Sequence, residues 1–158
     1  MKATESETGV LDLLAQCERV VGRLYRVYSE MFLEHQGFWL GLSAEEMMHA
    51  ARIEELAGTM DPADLSLSRF NPQAVSASLE YLAARVREAE AQDLDLVAAL
   101  SVALEIERAM LEHKWFEVLK TNSVEAKQTL AGLAADTRRH TLMITAVWES
   151  AKSRRDPA

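Results

Sequence analysis

The sequence predicts an all-α domain, an antiparallel bundle of four long helices with a long crossover that carries a short extra helix. Three observations lead there. Ala, Leu, Glu and Arg, all good helix formers, dominate the chain of 158 residues. Apolar residues recur at three- and four-residue spacing along nearly all of it. Only 6 Gly and 3 Pro interrupt that pattern, so breaks are few.

The first helix is expected from about Val10 to His35, with Leu11, Leu14, Val21, Tyr25 and Phe32 on one stripe and Gly37 ending or bending it. The second runs from about Phe38 to Ala57 on Leu42, Ile53 and Leu56, and Gly58-Thr59-Met60-Asp61-Pro62 stops it. A connection rich in Ser, Asp and Pro follows to about Pro72. The short helix, about Gln73 to Gln92, carries Val75, Leu79, Leu82 and Val86. The third long helix spans about Leu94 to Lys120. Asn122-Ser123-Val124-Glu125 has capping-box spacing and opens the fourth, to about Lys152. No strand is required. The domain is thus 10–152, with the polar ends 1–9 and 153–158 expected as flexible tails.

Composition excludes several function classes. A formal charge of −8 argues against nucleic acid, which demands a basic surface. The single cysteine, Cys17, rules out an internal disulfide and a Cys-x-x-Cys metal knuckle. No apolar run reaches the roughly 18 residues of a membrane span, and Met1 to Gly9 lacks a signal-peptide core. A cytoplasmic protein with no membrane partner is expected.

Against this background, ionisable residues on apolar stripes stand out, because charged groups are rarely buried unless paired or metal-bound. Glu18 has Leu11, Leu14, Val21 and Tyr25 around it on its helix face. Glu107 has Leu100, Ala103, Leu104, Met110 and Leu111, whereas Glu105 has Ser101, Arg108 and Glu112 and should face water. Glu46 and His49 share one face, one turn apart, flanked by Leu42 and Ile53. His140 lies with Leu133, Ile144 and Val147. Glu18 precedes His49 by 31 residues and Glu107 precedes His140 by 33, so each antiparallel pair brings a carboxylate and an imidazole to similar height. Inward carboxylates and imidazoles on four helices are how a bundle holds two metal ions. Hard oxygens with one imidazole per ion suit iron or manganese better than zinc.

The fourth helix is irregular. Thr137 stands three residues before His140, where a second carboxylate would complete the pattern, and Asp136 stands four before it. Asp136 is the candidate to replace the missing group, or else a surface partner of Arg139 or His140. Glu46 also has a competing role, since Ser43-Ala44-Glu45-Glu46 reads as a capping box. His49 could be a satisfied core histidine. His35, at a helix end, reads as structural. Met47, Met48, Met110 and Met143 read as core filling, His113 as a boundary residue, and Trp115 and Trp148 as core or dimer contacts. Cys17 points about 100° away from Glu18 and is not counted as a ligand. Tyr25 could bond a ligand carboxylate or relay an electron, or merely pack.

From about Val10 to Trp148 the chain resembles the rubrerythrin branch of the ferritin-like superfamily. The resemblance rests on Glu18 with Leu24-Tyr25, on Phe38-Trp39 followed by Glu45-Glu46-Met47-Met48-His49-Ala50, on Ala103-Leu104-Glu105-Ile106-Glu107 and on Arg139-His140. It implies a ferritin-like four-helix bundle binding two irons, with Glu18, Glu46, His49, Glu107 and His140 on ligand positions. Thr137 departs from the pattern at the fourth-helix Glu. Without Cys-x-x-Cys pairs there is no rubredoxin-like centre, so electrons would come from another protein or a small reductant. The expected activity is redox chemistry toward dioxygen or peroxide, or Fe(II) oxidation, with Glu46 bridging the metals together with Asp136 if the latter serves as the fourth-helix carboxylate. The rival expectation is a bundle with one metal or none, acting as a scaffold or partner-binding module; a homodimer is expected in either case.

Overall fold

The computed structural model describes residues 3–59, 65–66, 72–92, 94–112, 120–121 and 123–155. Five α-helices account for nearly all of them: α1 (Ala3–Met31), α2 (Gln36–Thr59), α3 (Pro72–Glu90), α4 (Leu96–Glu112) and α5 (Val124–Arg155). The chain is an all-α bundle. Two two-residue strands, β1 (Leu65–Ser66) and β2 (Lys120–Thr121), pair antiparallel, a detail that helical periodicity could not anticipate.

Local chemistry sets the helix ends. Phe32, at φ −117° and ψ 76°, takes the chain out of α1 into a single 3-10 turn at Leu33–His35. The break therefore precedes Gly37, which lies inside α2. Helix α2 also runs unbroken through Ser43, whose hydroxyl donates to the Gly22 carbonyl of α1 at 2.7 Å. Ser43 is not a cap, and the capping-box reading of Glu46 falls with it. Gln92, at φ 59°, closes the end of α3, and its N–H donates to the Ala89 carbonyl at 2.9 Å. Asp95 caps α4, its carboxylate accepting the Ala98 N–H at 2.8 Å. Ser123 caps α5 by accepting the Ala126 N–H at 3.2 Å, one residue later than the expected Asn122. Helix α4 ends its described course at Glu112, and Lys120, expected in that helix, is in β2. Helix α1 starts at Ala3 and α5 continues to Arg155, so helix extends into both expected tails. His113, Lys114, Trp115 and Asn122 lie outside the described residues.

Contacts between helices give their directions. Arg19 pairs with Glu54 and Ser43 with Gly22, so α1 and α2 are antiparallel. Glu45 meets Arg139 while His49 meets Asp136, so α2 and α5 are antiparallel. Asp95 pairs with Arg155 and Ser101 accepts the Trp148 indole N–H, so α4 and α5 are antiparallel as well. Helices α2 and α4 consequently run the same way. The link between them must travel the length of the bundle, and α3, which ties Glu90 to Arg23 of α1, makes that journey. Four long helices with one long crossover is an established bundle connectivity.

The core is built on the expected stripes. Leu11, Leu14, Val21, Leu42, Ile53, Leu56, Val75, Leu82, Val86, Leu100, Leu133 and Ile144 are all buried. The methionines divide. Met110 is buried, but Met47, Met48 and Met143 are exposed on outer faces and are not core filling. Trp148 is half-buried, its indole N–H on Ser101 and its ring under the Lys152 ammonium at 4.7 Å. Among the described residues no helix is long and apolar enough to cross a membrane.

Gly22 sets the spacing of α1 and α2 beside Glu46. A Cβ there would lie 3.1 Å from Met47 Sδ, 3.3 Å from the Ser43 carbonyl and 3.4 Å from Glu46 Cβ. The sulfur can swing away, but the carbonyl is backbone. Gly22→Ala gains about 1 kcal/mol of helix propensity and incurs an overpacking cost of about 1–3 kcal/mol. A net loss of about 1 kcal/mol in chemical denaturation is expected; a gain in stability would show that the two helices are free to separate.

Candidate metal centre

Glu18 of α1, Glu46 and His49 of α2, Glu107 of α4 and His140 of α5 are each no more than 1% exposed. The stripes that bury their neighbours bury them too, so four helices deliver five ionisable side chains to one enclosed place. Two groups of potential ligand atoms form there, Glu18 with Glu46 and His49, and Glu46 with Glu107 and His140. Within each group the atoms lie within 4.8 Å of one another. Either group could hold a metal ion, and all five expected inner residues belong to them.

Glu46 belongs to both. Its Oε2 lies 3.3 Å from His49 Nδ1 and its Oε1 lies 2.8 Å from His140 Nδ1. One carboxylate thus divides its two oxygens between the two imidazoles. His49 Nδ1 also lies 3.9 Å from Glu18 Oε2, and His140 Nδ1 lies 3.5 Å from Glu107 Oε1. The two rings are stacked, with centroids 5.5 Å apart and planes 21° apart.

Several of these atoms are buried without a hydrogen bond. Among the described residues Glu18 Oε2, Glu46 Oε1, Glu107 Oε2 and His140 Nδ1 have none. Glu46 Oε1 and His140 Nδ1 lie 2.8 Å apart without the geometry of a hydrogen bond. Buried polar atoms are normally satisfied. Four converging atoms that are not, each a good donor to a cation, have the chemistry of a ligand set.

An outer layer orients the imidazoles. His49 Nε2–H donates to Asp136 Oδ2 at 3.1 Å, and His140 Nε2–H donates to Glu45 Oε2 at 2.5 Å. A carboxylate can only accept, so each bond fixes a proton on Nε2 and turns Nδ1 inward, where a metal ion that displaced its proton would meet the lone pair. The bonds cross over, α2 imidazole to α5 carboxylate and α5 imidazole to α2 carboxylate. The Arg139 guanidinium reaches both acids, Glu45 at 2.8 Å and Asp136 at 3.5 Å. Bonds from Arg139 and His140 hold the Glu45 carboxyl below its ordinary range despite the opposing effect of burial, and His49 and Arg139 do the same for Asp136.

Asp136, expected to complete the inner set, lies outside both inner groups. It is one-third exposed and sits on the outer nitrogen of His49, because its helix position is rotated about 100° from Thr137 and its side chain is short. Thr137 is buried and gives its hydroxyl proton to the Leu133 carbonyl at 2.9 Å. The inner set is asymmetric, with Glu46 on α2 and a neutral hydroxyl at the matching place on α5.

Glu45 and Arg139 were not singled out from sequence as site residues. A signal existed, since Glu45 stands four residues before His49 as Asp136 stands four before His140. Glu105 is exposed, as the stripe comparison requires, and accepts the Tyr81 hydroxyl at 3.2 Å. Tyr25 is buried and donates its hydroxyl at 2.7 Å to Glu107 Oε1, the same oxygen that lies 3.5 Å from His140 Nδ1. Burial, and then Glu18, push the Cys17 thiol up to about 12, so it remains a neutral core group.

The cluster attracts protons. Burial pulls both imidazoles down, but the carboxylates facing them win, placing His49 at about 10 with Glu18 and Glu46 and His140 at about 11 with Glu107 and Glu46. Burial, and then the charge of Glu46, hold Glu18 well above the usual carboxylate range. A metal ion would displace these protons.

Compared with protein-family models, characterised proteins and solved structures, the chain matches none.

These shifts predict how the metal-free protein responds to pH. Both histidines and Glu18 bind protons more tightly when folded, so their contribution is complete below the unfolded values and is lost as pH rises through the folded ones. Glu45 and Asp136 act oppositely, and their contribution is lost as pH falls through their depressed values. In chelator, thermal stability should be greatest at mildly acidic pH and decline steadily from about 6.5, the ordinary imidazole value, toward 10. A flat profile across that window would show that the imidazoles are neutral in the metal-free fold.

Proposed function

We propose that the chain is a dinuclear metal protein of the ferritin-like kind, binding two irons and acting in redox chemistry toward dioxygen, peroxide or Fe(II) itself. The observation that carries this reading is Glu46, with one oxygen in each of two buried Glu/His groups. A carboxylate so divided is suited to bridging two ions. Glu18 and Glu107 are the terminal carboxylates, and His49 and His140 give one imidazole to each ion. The single long crossover between α2 and α4 agrees with ferritin-like connectivity. Three carboxylates and two neutral imidazoles suit two divalent, oxygen-loving ions, iron or manganese before zinc. Iron would supply the electrons and Lewis acidity. The protein's part is to hold the ligands, fix both imidazole tautomers through Asp136 and Glu45, and keep bulk water out.

Two observations favour a second reading, a bundle with one metal or none acting as a structural or partner-binding module. Two imidazolium groups can neutralise much of the buried negative charge unaided, and Thr137 leaves the α5 side short of an anionic oxygen. Anaerobic Fe(II) titration with elemental analysis separates the readings. About two ions per chain is the expectation from the paired groups; no binding would remove the redox proposal altogether.

Side-chain removal should grade with distance from the centre. Glu107→Ala deletes an inner oxygen and should weaken at least one ion by more than the roughly 10–100-fold typical of outer partners. Asp136→Ala and Glu45→Ala should fall within that outer range, and Glu105→Ala should leave binding unchanged. Equal titrations for Glu105→Ala and Glu107→Ala would mean that the inward face is misassigned.

Thr137→Glu should restore Glu-x-x-His spacing on α5 and tighten the ion beside His140 by about tenfold or more, as an anionic oxygen replaces a neutral hydroxyl. A two-step Fe(II) titration in the parent should merge into one step. If the variant binds no better while Asp136→Ala abolishes the second ion, Asp136 moves inward on metal binding and the outer assignment is wrong.

A further inference from the structure

The inner residues are enclosed, so a cation that reaches them must first pass a layer of protein. Leu14, Val21, Leu42, Ile53, Leu133 and Ile144, their helix-face neighbours, are buried and apolar. A dication crossing such a layer would give up its water with no oxygen to replace it. One direction differs. Among the described residues, the polar contacts of the cluster reach solvent-exposed groups through Asp136 and Glu45, on the seam between α5 and α2. Each of these acids divides its oxygens. Asp136 gives Oδ2 to His49 and Oδ1 to Arg139, and Glu45 gives Oε2 to His140 and Oε1 to Arg139. The two outward oxygens meet the same guanidinium nitrogen, Nη2, at 3.5 Å and 2.8 Å. A positive group thus stands between two carboxylates just outside the buried ligand set, and that group belongs to the protein.

We propose that the α2–α5 seam is the entry for divalent cations, with Glu45 and Asp136 as the receiving carboxylates and Arg139 as a latch, a tethered cation that fills their receiving position and swings out to open it. Hard divalent cations exchange water for carboxylate oxygen, and two such oxygens converge here. On the inner side of the two imidazoles stand Glu18 Oε2 and Glu46 Oε1, which have no hydrogen bond among the described residues, so the next oxygens inward are unengaged. Arg139 is able to leave. Its side chain is 46% exposed, and its Nη1 rests on Met143 Sδ, a weak acceptor, at 3.5 Å. While it stays, its charge repels an approaching cation, and Arg52, 3.9 Å from Asp136, adds a second positive charge at the mouth. The latch therefore slows cation exchange in both directions without joining the ligand set. This role rests on the dinuclear reading above, but it concerns rates, whereas that reading concerns equilibrium binding.

That difference gives the test. Anaerobic Co(II), whose visible absorption reports its coordination, is mixed with the full-length, metal-free protein by stopped flow, and release is followed by chasing the loaded protein with EDTA. Arg139→Gln should raise both rates by about tenfold or more, the lower end of the range over which charge at a cleft alters association, and should leave Kd within about threefold because the two rates move together. Asp136→Asn and Glu45→Gln keep an amide oxygen to accept the imidazole N–H but lose the receiving charge, and each should slow association by about tenfold. Arg23→Gln removes the same charge from the exposed pair with Glu90, on α1 and α3, and should leave both rates within about twofold. Circular dichroism of each variant verifies the fold. Unchanged association in Arg139→Gln, or a rise in release alone, would show that Arg139 merely braces the two acids and would overturn the latch. Unchanged association in both Asp136→Asn and Glu45→Gln would place the entry elsewhere. If the parent binds neither Fe(II) nor Co(II), the dinuclear reading fails and the entry falls with it. If it binds at equal rates in every variant, the entry alone fails.

Discussion

The structure depends on one electrostatic constraint, the burial of five ionisable side chains at a single point where α1, α2, α4 and α5 meet. An isolated charge in such a place would be expelled or neutralised. Here the charges answer each other, three carboxylates against two imidazoles, with Glu46 touching both histidines. The helices are committed to their mutual positions because no member of the cluster can be withdrawn alone without leaving another uncompensated. Gly22 serves the same end by letting α2 approach α1 beside Glu46.

Around that centre the polar contacts form shells of decreasing burial. The inner atoms are enclosed and, among the described residues, largely without hydrogen bonds, an arrangement that could hold a cation. The next layer, Asp136 and Glu45, is one-third exposed and holds each imidazole by its outer nitrogen. Arg139, more exposed again, joins the two acids across α2 and α5. Solvent screens this outermost link, so it contributes little stability by itself. Its effect is geometric, keeping two carboxylates where the histidines need them.

The two halves of the cluster are related but not equivalent. Glu45, Glu46 and His49 on α2 correspond in spacing to Asp136, Thr137 and His140 on α5. The outer carboxylate and the imidazole are kept in both, whereas the inner carboxylate is kept only on α2. The other end of the cluster differs as well, since Tyr25, whose ring packs against Trp39, bonds to Glu107. Charge, hydrogen bonding and aromatic packing thus distinguish one Glu/His group from the other.

The sequence by itself determined the helices, their buried faces and the five inner residues. Periodicity and the company each acidic residue keeps are local properties, and they separated Glu107 from Glu105 correctly. Local signals also misled. Ser43 looked like a cap but bonds to Gly22 of another helix, and Met47 and Met48 looked like core but face outward. Only the tertiary structure decided which oxygen faces which imidazole, that Asp136 stands behind His49 instead of beside the cluster, and that Glu45 and Arg139 belong to it at all. The reason is physical. A helix face narrows a side chain's direction to within one turn, but whether its last atom lies 3 Å or 6 Å from a partner depends on the packing of helices far apart in the chain, which no local pattern encodes.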